Sequence, residues 1–224
     1  MIEITYPPQP SFTRAFEHLD QREHDAWLQN IDQQLPLNEP LWVFGYGSLL
    51  WRPCFPVAEQ LPAVADGYVN RLCIWTIEAR GTPRTPGLGL GLERDTRACC
   101  HGAIQRVSYQ ERAGALSALL EREMLTGVYT PTVISVRTSP LTTQRALAFV
   151  VNATHPQYAG RRSLQAQANL VAAAHGQLGS NVEYLRETVA ALVRVDVDAG
   201  ELKDVLDLID ADAKRFSART DCPG

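Results

Sequence analysis

Short apolar runs alternate with polar segments in the first two thirds of the chain, and longer amphipathic segments follow. The short runs are rich in leucine or in β-branched and aromatic residues, which predicts strands. They are Leu41–Phe44, Gly67–Ile77, Gly87–Leu92, Gly102–Val107, Thr132–Val136 and Ala146–Val151. The segments that predict helices are Tyr109–Glu123, Arg162–His175, Val182–Val193 and Glu201–Ala213. Because strands lead and helices are concentrated late, this order predicts an α+β fold rather than a doubly wound α/β sheet.

The same pattern predicts one central domain over residues 41–214, with no repeat or low-complexity linker inside it. Residues 1–40 begin with several prolines and continue with a polar stretch that predicts a helix from about Ser11 to Gln34. We therefore expect residues 1–40 to form a peripheral helical extension. Residues 215–224 are short and polar, and they predict a loose tail.

Two predicted helices have marked starts. Ser108 with Glu111, and Ser180 with Glu183, have the spacing of a capping box. The helix after Ser180 carries an apolar stripe that we expect to pack on the core. The stripe consists of Val182, Leu185, Val189 and Leu192.

The strand at Leu41–Phe44 ends in the turn Gly45-Tyr46-Gly47-Ser48-Leu49. Two glycines around one tyrosine free the backbone to point several N–H groups into one concavity, which favours an anion. A tight turn that Ser48 caps is the alternative interpretation, and turn chemistry alone leaves both open.

The helix Tyr109–Glu123 places a carboxylate on its apolar stripe. The stripe is formed by Ala113, Leu116, Leu119 and Leu120, and Glu123 lies four residues after Leu119 and three after Leu120. A carboxylate on that face loses hydration, which raises its pKa and suits it to proton transfer. The alternative is that the helix end leaves the core and Glu123 simply reaches water. Glu121 lies off the stripe in either case.

Charge and cysteine content reduce the classes of function and the compartments that fit the sequence. The formal net charge of −4 offers no global basic field for nucleic acid or anionic lipid. Five cysteines without a framework spacing predict free thiols and a reducing, cytoplasmic protein. No signal peptide or membrane span is predicted.

Cys99-Cys100-His101 has no second Cys/His pair near it, so we interpret it as packing rather than a metal site. Arg71 is a candidate to meet a substrate carboxylate, and a surface or core ion pair is the interpretation that we favour.

Five motifs, taken in order, resemble the ChaC-like, glutathione-specific γ-glutamylcyclotransferases from about Leu41 to about Leu192. The motifs are Gly45-Tyr46-Gly47-Ser48-Leu49, Arg80-Gly81-Thr82-Pro83, Arg122-Glu123, Gly127-Val128-Tyr129 and Gly179-Ser180-Asn181-Val182-Glu183-Tyr184-Leu185. The resemblance implies a small mixed β-barrel or sheet flanked by helices. It also implies that glutathione is cleaved to 5-oxoproline and Cys-Gly, without a cofactor or a metal.

In this family the glutamate of the Arg-Glu pair is the catalytic acid/base, so the resemblance gives that role to Glu123. It also implies a set of substrate-binding residues: Gly45, Tyr46, Gly47, Ser48, Leu49, Arg80, Gly81, Tyr129 and Tyr184. Other γ-glutamyl amino acids or γ-glutamylamines are the alternative substrates. A non-catalytic module that binds an acidic metabolite is the alternative of another class, and Glu123 argues against it because a binder needs no acid/base. A cysteine hydrolase is weakly supported, since no cysteine opens a helix beside a base.

Overall fold

The computed structural model describes residues 12, 16–36 and 38–220, with the side chains of 216–220 left out. Five strands form its main sheet: β1 (Leu41–Gly45), β2 (Glu59–Thr76), β3 (Gly87–Val107), β4 (Tyr129–Ser139) and β5 (Thr142–Val151). Two-residue strands β6 (His175–Gly176) and β7 (Gly179–Ser180) form a small hairpin. The helices are α1 (Gln21–Gln34), α2 (Arg112–Glu123), α3 (Leu164–Ala173), α4 (Asn181–Arg194) and α5 (Glu201–Thr220), with a 3₁₀ turn at Ser48–Leu50.

The five long strands close into a barrel in the order β1-β3-β2-β4-β5. Most neighbours are antiparallel, and short parallel contacts of β5 with β1 and β3 complete the closure. The largest core cluster combines barrel residues such as Leu88 and Leu92 with the packed faces of α3, α4 and α5. This mixed barrel with flanking helices is the α+β architecture that the sequence predicts.

Two predicted strands, Gly87–Leu92 and Gly102–Val107, are the ends of the single strand β3. The polar residues between them bulge out of the ladder, because Asp66 pairs with Cys99 while Tyr68 pairs with Arg94. Such a bulge bends a strand without ending it. An apolar pattern indicates burial, so it does not predict a strand over the residues where that strand leaves the core.

Two details of helix α2 differ from the prediction. The helix begins at Arg112, its N-cap is Glu111, and no side chain caps it, so the capping box predicted at Ser108 does not form. Its buried face contains Ala115 where the sequence pattern indicated Ala113, which is exposed. At the second predicted box, Ser180 does cap α4 by accepting from the Glu183 N–H. The Glu183 carboxylate pairs with Arg80 instead of closing that box.

The predicted N-terminal extension packs closely on the barrel. Helix α1 starts at a capping box formed by Asp20 and Glu23, and its Ile31 is fully buried with Leu119 and other residues of α2. Ile31 is the one buried residue of α1, so this helix lies on the surface and is attached to the core through that side chain. At the other end, α5 continues through Thr220, so 215–220 extend a helix where a loose tail was predicted. The remaining predicted residues at both termini, 1–11, 13–15 and 221–224, lie outside the described part.

Candidate active site

A small cavity lies where the barrel ladder is incomplete. Strand β1 pairs with β3 through Ala103–Val107, and β5 reaches β3 at Leu92, so Leu88 and Leu90 have no strand beside them on that edge. Side chains take the place of the strand. The Asn181 amide accepts from the Leu88 N–H at 2.7 Å and donates to the Leu88 carbonyl at 2.9 Å. These bonds satisfy buried main-chain groups that a strand would otherwise pair.

Two tyrosines complete the same edge at Leu90. The Leu90 N–H donates to the Tyr184 hydroxyl at 3.3 Å, and the Tyr129 hydroxyl donates to the Leu90 carbonyl at 2.5 Å. A third tyrosine, Tyr46, donates to the Phe149 carbonyl on β5 at 2.7 Å. Burial raises the pKa of all three phenols, for Tyr184 to about 12, so they are neutral at neutral pH.

About 310 Å³ of empty space, part of it open to solvent, lies between the turn after β1, the end of α2 and the three tyrosines. Nine residues line it: Tyr46, Gly47, Ser48, Leu49, Leu90, Glu123, Tyr129, Phe149 and Tyr184. The turn and the carboxylate come from segments more than 70 residues apart. The structure therefore brings the glycine turn and Glu123 to one concavity.

Glu123 is the last residue of α2, and its side chain is only 14% exposed. Burial raises the pKa of its carboxyl above the ordinary value for glutamate, and the Arg122 charge lowers it in part. A carboxylate in such a site exchanges protons more readily near neutral pH than an exposed one does. Glu121, two residues earlier, is exposed and accepts a bond from Ser117.

A wider cleft adjoins the cavity and shares Ser48, Glu123 and Tyr184 with it. It holds about 1110 Å³ of empty space that is open to solvent. Three arginines line it, Arg52, Arg80 and Arg122, together with Cys54. Arginines therefore outnumber the single carboxylate among the residues that line this cleft. Glu123 lies where the cleft meets the inner cavity.

Arg80 is fixed in the wall of this cleft by several contacts. Its guanidinium lies 6.0 Å from the ring centre of Trp51 and 5.8 Å from that of Tyr184. It donates to the Ser180 carbonyl at 3.3 Å and pairs with the exposed Glu183 at 3.4 Å. Such contacts hold a guanidinium in place while its remaining donors stay available to an anion.

Two of the predicted substrate-binding residues, Gly45 and Gly81, line neither space. Gly81 is packed against main chain, where an added Cβ would lie 2.4 Å from the Thr76 carbonyl oxygen and from the Gly87 nitrogen. Gly45 ends β1 beside Leu50. Both glycines therefore shape the loops that carry their neighbours.

The features outside the site behave as structural elements. Cys99 is exposed and Cys100 buried, and the Cys99 thiol lies 3.5 Å from His101 Nε2 on the same strand. Among the described residues no group of three or more His, Cys, Asp or Glu side chains is arranged to hold a metal. Arg71 pairs with Glu93 at 3.2 Å, which is the ion pair that the sequence indicated. Within the described ranges, no helix is long and apolar enough to cross a membrane.

Comparison with known proteins extends these observations. A family model described as ChaC-like protein matches residues 41–212. The glutathione-specific gamma-glutamylcyclotransferase of Escherichia coli (strain K12) is 33% identical over 171 residues, which cover 76% of this chain and 73% of that protein. Glutathione-specific gamma-glutamylcyclotransferase 1 of Homo sapiens is 32% identical over 158 residues, which cover 68% of this chain and 71% of that protein. A solved structure of the yeast γ-glutamyl cyclotransferase specific to glutathione superposes with a TM-score of 0.71 at 19% identity, covering 78% of this chain and 97% of the yeast chain. The last match confirms the predicted fold.

Proposed function

The chain belongs to the ChaC-like family, and from this premise we propose that it is a glutathione-specific γ-glutamylcyclotransferase, a lyase that converts glutathione to 5-oxoproline and Cys-Gly. The observation that carries the proposal is the shared cavity of Glu123 and the Gly47–Leu49 turn. A buried carboxylate that faces a concavity is what this reaction requires of the protein.

The reaction needs one carboxylate and a substrate that is held folded. The α-amine of the γ-glutamyl group attacks its own γ-carbonyl carbon, a C–N bond closes the five-membered lactam, and the amide bond to cysteine breaks. Glu123 first takes a proton from the α-ammonium group and later delivers it to the departing amine. Because the attack is intramolecular, a well-oriented substrate gains on the order of 7–11 kcal/mol from positioning alone.

The two adjoining spaces suggest how glutathione lies. We place the γ-glutamyl group in the inner cavity, with its head against the Gly47–Leu49 turn and its γ-carbonyl toward Glu123. The Cys-Gly part then lies in the outer cleft, where Arg52 and Arg80 offer guanidinium groups to the glycine carboxylate. The neutral phenols of Tyr46, Tyr129 and Tyr184 wall the inner cavity. Gly45 and Gly81 act indirectly, by shaping the loops on which these groups lie.

The proposed setting is the cytoplasm, where glutathione is abundant and reduced. All four cysteines within the described ranges are free thiols, which agrees with a reducing compartment. The proposed partner is the small-molecule substrate, without nucleic acid, membrane, metal or cofactor.

A product assay tests the proposal. Purified protein is incubated with glutathione, and 5-oxoproline, Cys-Gly and free glutamate are quantified by mass spectrometry. We expect 5-oxoproline and Cys-Gly in equal amounts and no glutamate, because no water enters the reaction. Glutamate in place of 5-oxoproline would identify a hydrolase. Faster release of 5-oxoproline from γ-glutamyl amino acids than from glutathione would instead assign the alternative substrate class. Binding of glutathione with no product at all would indicate a non-catalytic module.

A further inference from the structure

Arg122 joins three parts of the site. Its Nη2 donates to the Ser48 hydroxyl at 2.8 Å, and its Nη1 donates to the Arg52 carbonyl oxygen. Its Nε lies 3.2 Å from Glu123 Oε1. One side chain thus contacts the start of the 3₁₀ turn, the segment that follows it, and the carboxylate.

The contact between Arg122 and Glu123 is unusual for a helix. Consecutive residues of an α-helix point about 100° apart and do not normally face each other. Here the pair stands on the last turn of α2, and the guanidinium reaches across to the Ser48–Arg52 segment. The ion pair is therefore a product of the tertiary contacts that hold the guanidinium, and it depends on them.

No other cation pairs with Glu123 among the groups described around it. The charged and titratable groups that face it are Arg122 from its own helix, the three neutral tyrosines from the turn, β4 and α4, and the Cys54 thiol. Arg52 and Arg80 lie in the walls of the outer cleft. Within the described part of the chain, the positive charge in contact with the carboxylate is that of Arg122.

We propose that Arg122 is a positioning residue of the cyclisation: its guanidinium fixes the Glu123 carboxylate relative to the Ser48 turn and places a positive charge beside it. The inference rests on the proposed function. The first step transfers a proton from the α-ammonium group to Glu123, so only the ionised carboxylate is competent. A guanidinium suits this task because it does not itself release a proton.

Electrostatics gives the proposal a measurable consequence. Burial raises the pKa of Glu123, and the Arg122 charge opposes that rise. Without the charge the rise is unopposed, so a larger fraction of Glu123 is protonated and inactive at neutral pH. A lost structural contact alone would lower the rate equally at every pH.

The test compares Arg122→Gln and Arg122→Lys with the parent enzyme, using kcat and kcat/KM for glutathione from about pH 5 to about pH 9. Arg122→Gln is expected to lose about 10²-fold in kcat at neutral pH, since a small misplacement costs that much. The acid limb of its pH–rate profile should move to higher pH. The loss of kcat relative to the parent should therefore become smaller as the pH rises. Arg122→Lys keeps the positive charge but lacks the planar guanidinium with its several N–H donors. The acid limb of this variant should therefore coincide with that of the parent, and its kcat should recover in part.

Arg106→Gln is the matched control. Arg106 pairs with Glu59 at 2.8 Å on the barrel surface and lines neither space, so this variant should keep both the rate and the pH profile. An Arg122→Gln enzyme whose acid limb coincides with that of the parent would overturn the proposal. If Arg122→Gln does not fold by circular dichroism, Arg122→Lys decides, and either a displaced acid limb or a kcat equal to that of the parent would contradict it. An inactive parent enzyme would contradict the proposed function instead.

Discussion

Replacing Glu123 with glutamine removes the proposed proton carrier and little else. The two side chains are nearly isosteric, so the amide fills the space of the carboxylate, whose oxygen lies 3.2 Å from Arg122 Nε. The cavity therefore keeps its shape, and glutathione should still bind. The amide cannot accept the α-ammonium proton. General acid–base help is worth about 10²–10⁴-fold per transfer, and Glu123 serves two transfers, so kcat should fall by about 10⁴-fold or more.

The same substitution should stabilise the folded protein at neutral pH. Burial raises the pKa of Glu123 in the folded state above its unfolded value. Between those two pKa values the folded state binds more protons than the unfolded state. The contribution of Glu123 to the free energy of unfolding therefore decreases as the pH rises through that window. Glutamine does not titrate and avoids the loss. We expect Glu123→Gln to unfold at a higher denaturant concentration than the parent at pH 7 to 8, with the difference vanishing below the ordinary pKa of glutamate, about 4.3.

Release of 5-oxoproline, glutathione binding by calorimetry and urea unfolding are measured on Glu123→Gln and Glu121→Gln side by side. Glu121 is exposed and serves as the internal control, so its variant should behave as the parent does. Activity of Glu123→Gln within about threefold of the parent would refute the acid/base role, since that is far below the 10²-fold minimum of such catalysis. An inactive Glu121→Gln beside an active Glu123→Gln would mean that the wrong carboxylate had been chosen. A Glu123→Gln protein less stable than the parent at pH 7 would contradict the account of its burial.

Three further predictions concern the edge of β3, the cysteines and the substrate. Asn181→Ala leaves two buried main-chain groups of Leu88 without partners, so the free energy of unfolding in urea should fall by about 2–4 kcal/mol; an unchanged value would show that water replaces the amide. Cys99→Ser and Cys100→Ser should each keep turnover within about threefold, and a chelator should not change it, because the proposed bond exchange and proton transfers use neither a protein thiol nor a metal. Loss of activity in a folded variant would give this pair a chemical role. Glutathione disulfide should be cleaved at least about tenfold more slowly than glutathione, since a second tripeptide on the sulfur crowds the cleft beside Arg52 and Arg80; equal rates in a cyclisation assay would contradict that orientation.

The sequence predicts the fold class and the place of Glu123 from different kinds of information. Hydrophobic periodicity carries the α+β order, and helical phase puts Glu123 on the buried face of α2, where the structure has it in the cavity. The pattern cannot show that the turn at Gly47 meets this helix, because the two are joined by contacts between distant segments. The family resemblance supplies that link, and the family match over residues 41–212 confirms the resemblance.

Helical phase does not identify two structural roles, those of Arg122 and Asn181, although both residues lie in motifs of the family resemblance. Arg122 lies off the apolar stripe of α2, so its phase indicates a solvated side chain, and its role depends on Ser48 and Arg52, which helical phase does not locate. Asn181 is polar, so the apolar stripe of α4 does not include it. Its spacing of four residues from Leu185 and seven from Thr188 is nevertheless a helical one, and all three are buried. A polar side chain in phase with a buried stripe is a signal for an internal bond to main chain.

The bonds that Tyr129 and Tyr184 make to Leu90 have a consequence for altering the enzyme by design. The side chains that enclose the proposed γ-glutamyl group are also those that seal the open edge of the barrel. Substitutions in that inner wall that change specificity should therefore also lower the free energy of unfolding. Arg52, Pro53 and Leu178 in the outer cleft are exposed, and their side chains do not bond to the open edge of β3. Libraries aimed at new leaving groups should vary these outer positions and hold the tyrosines fixed.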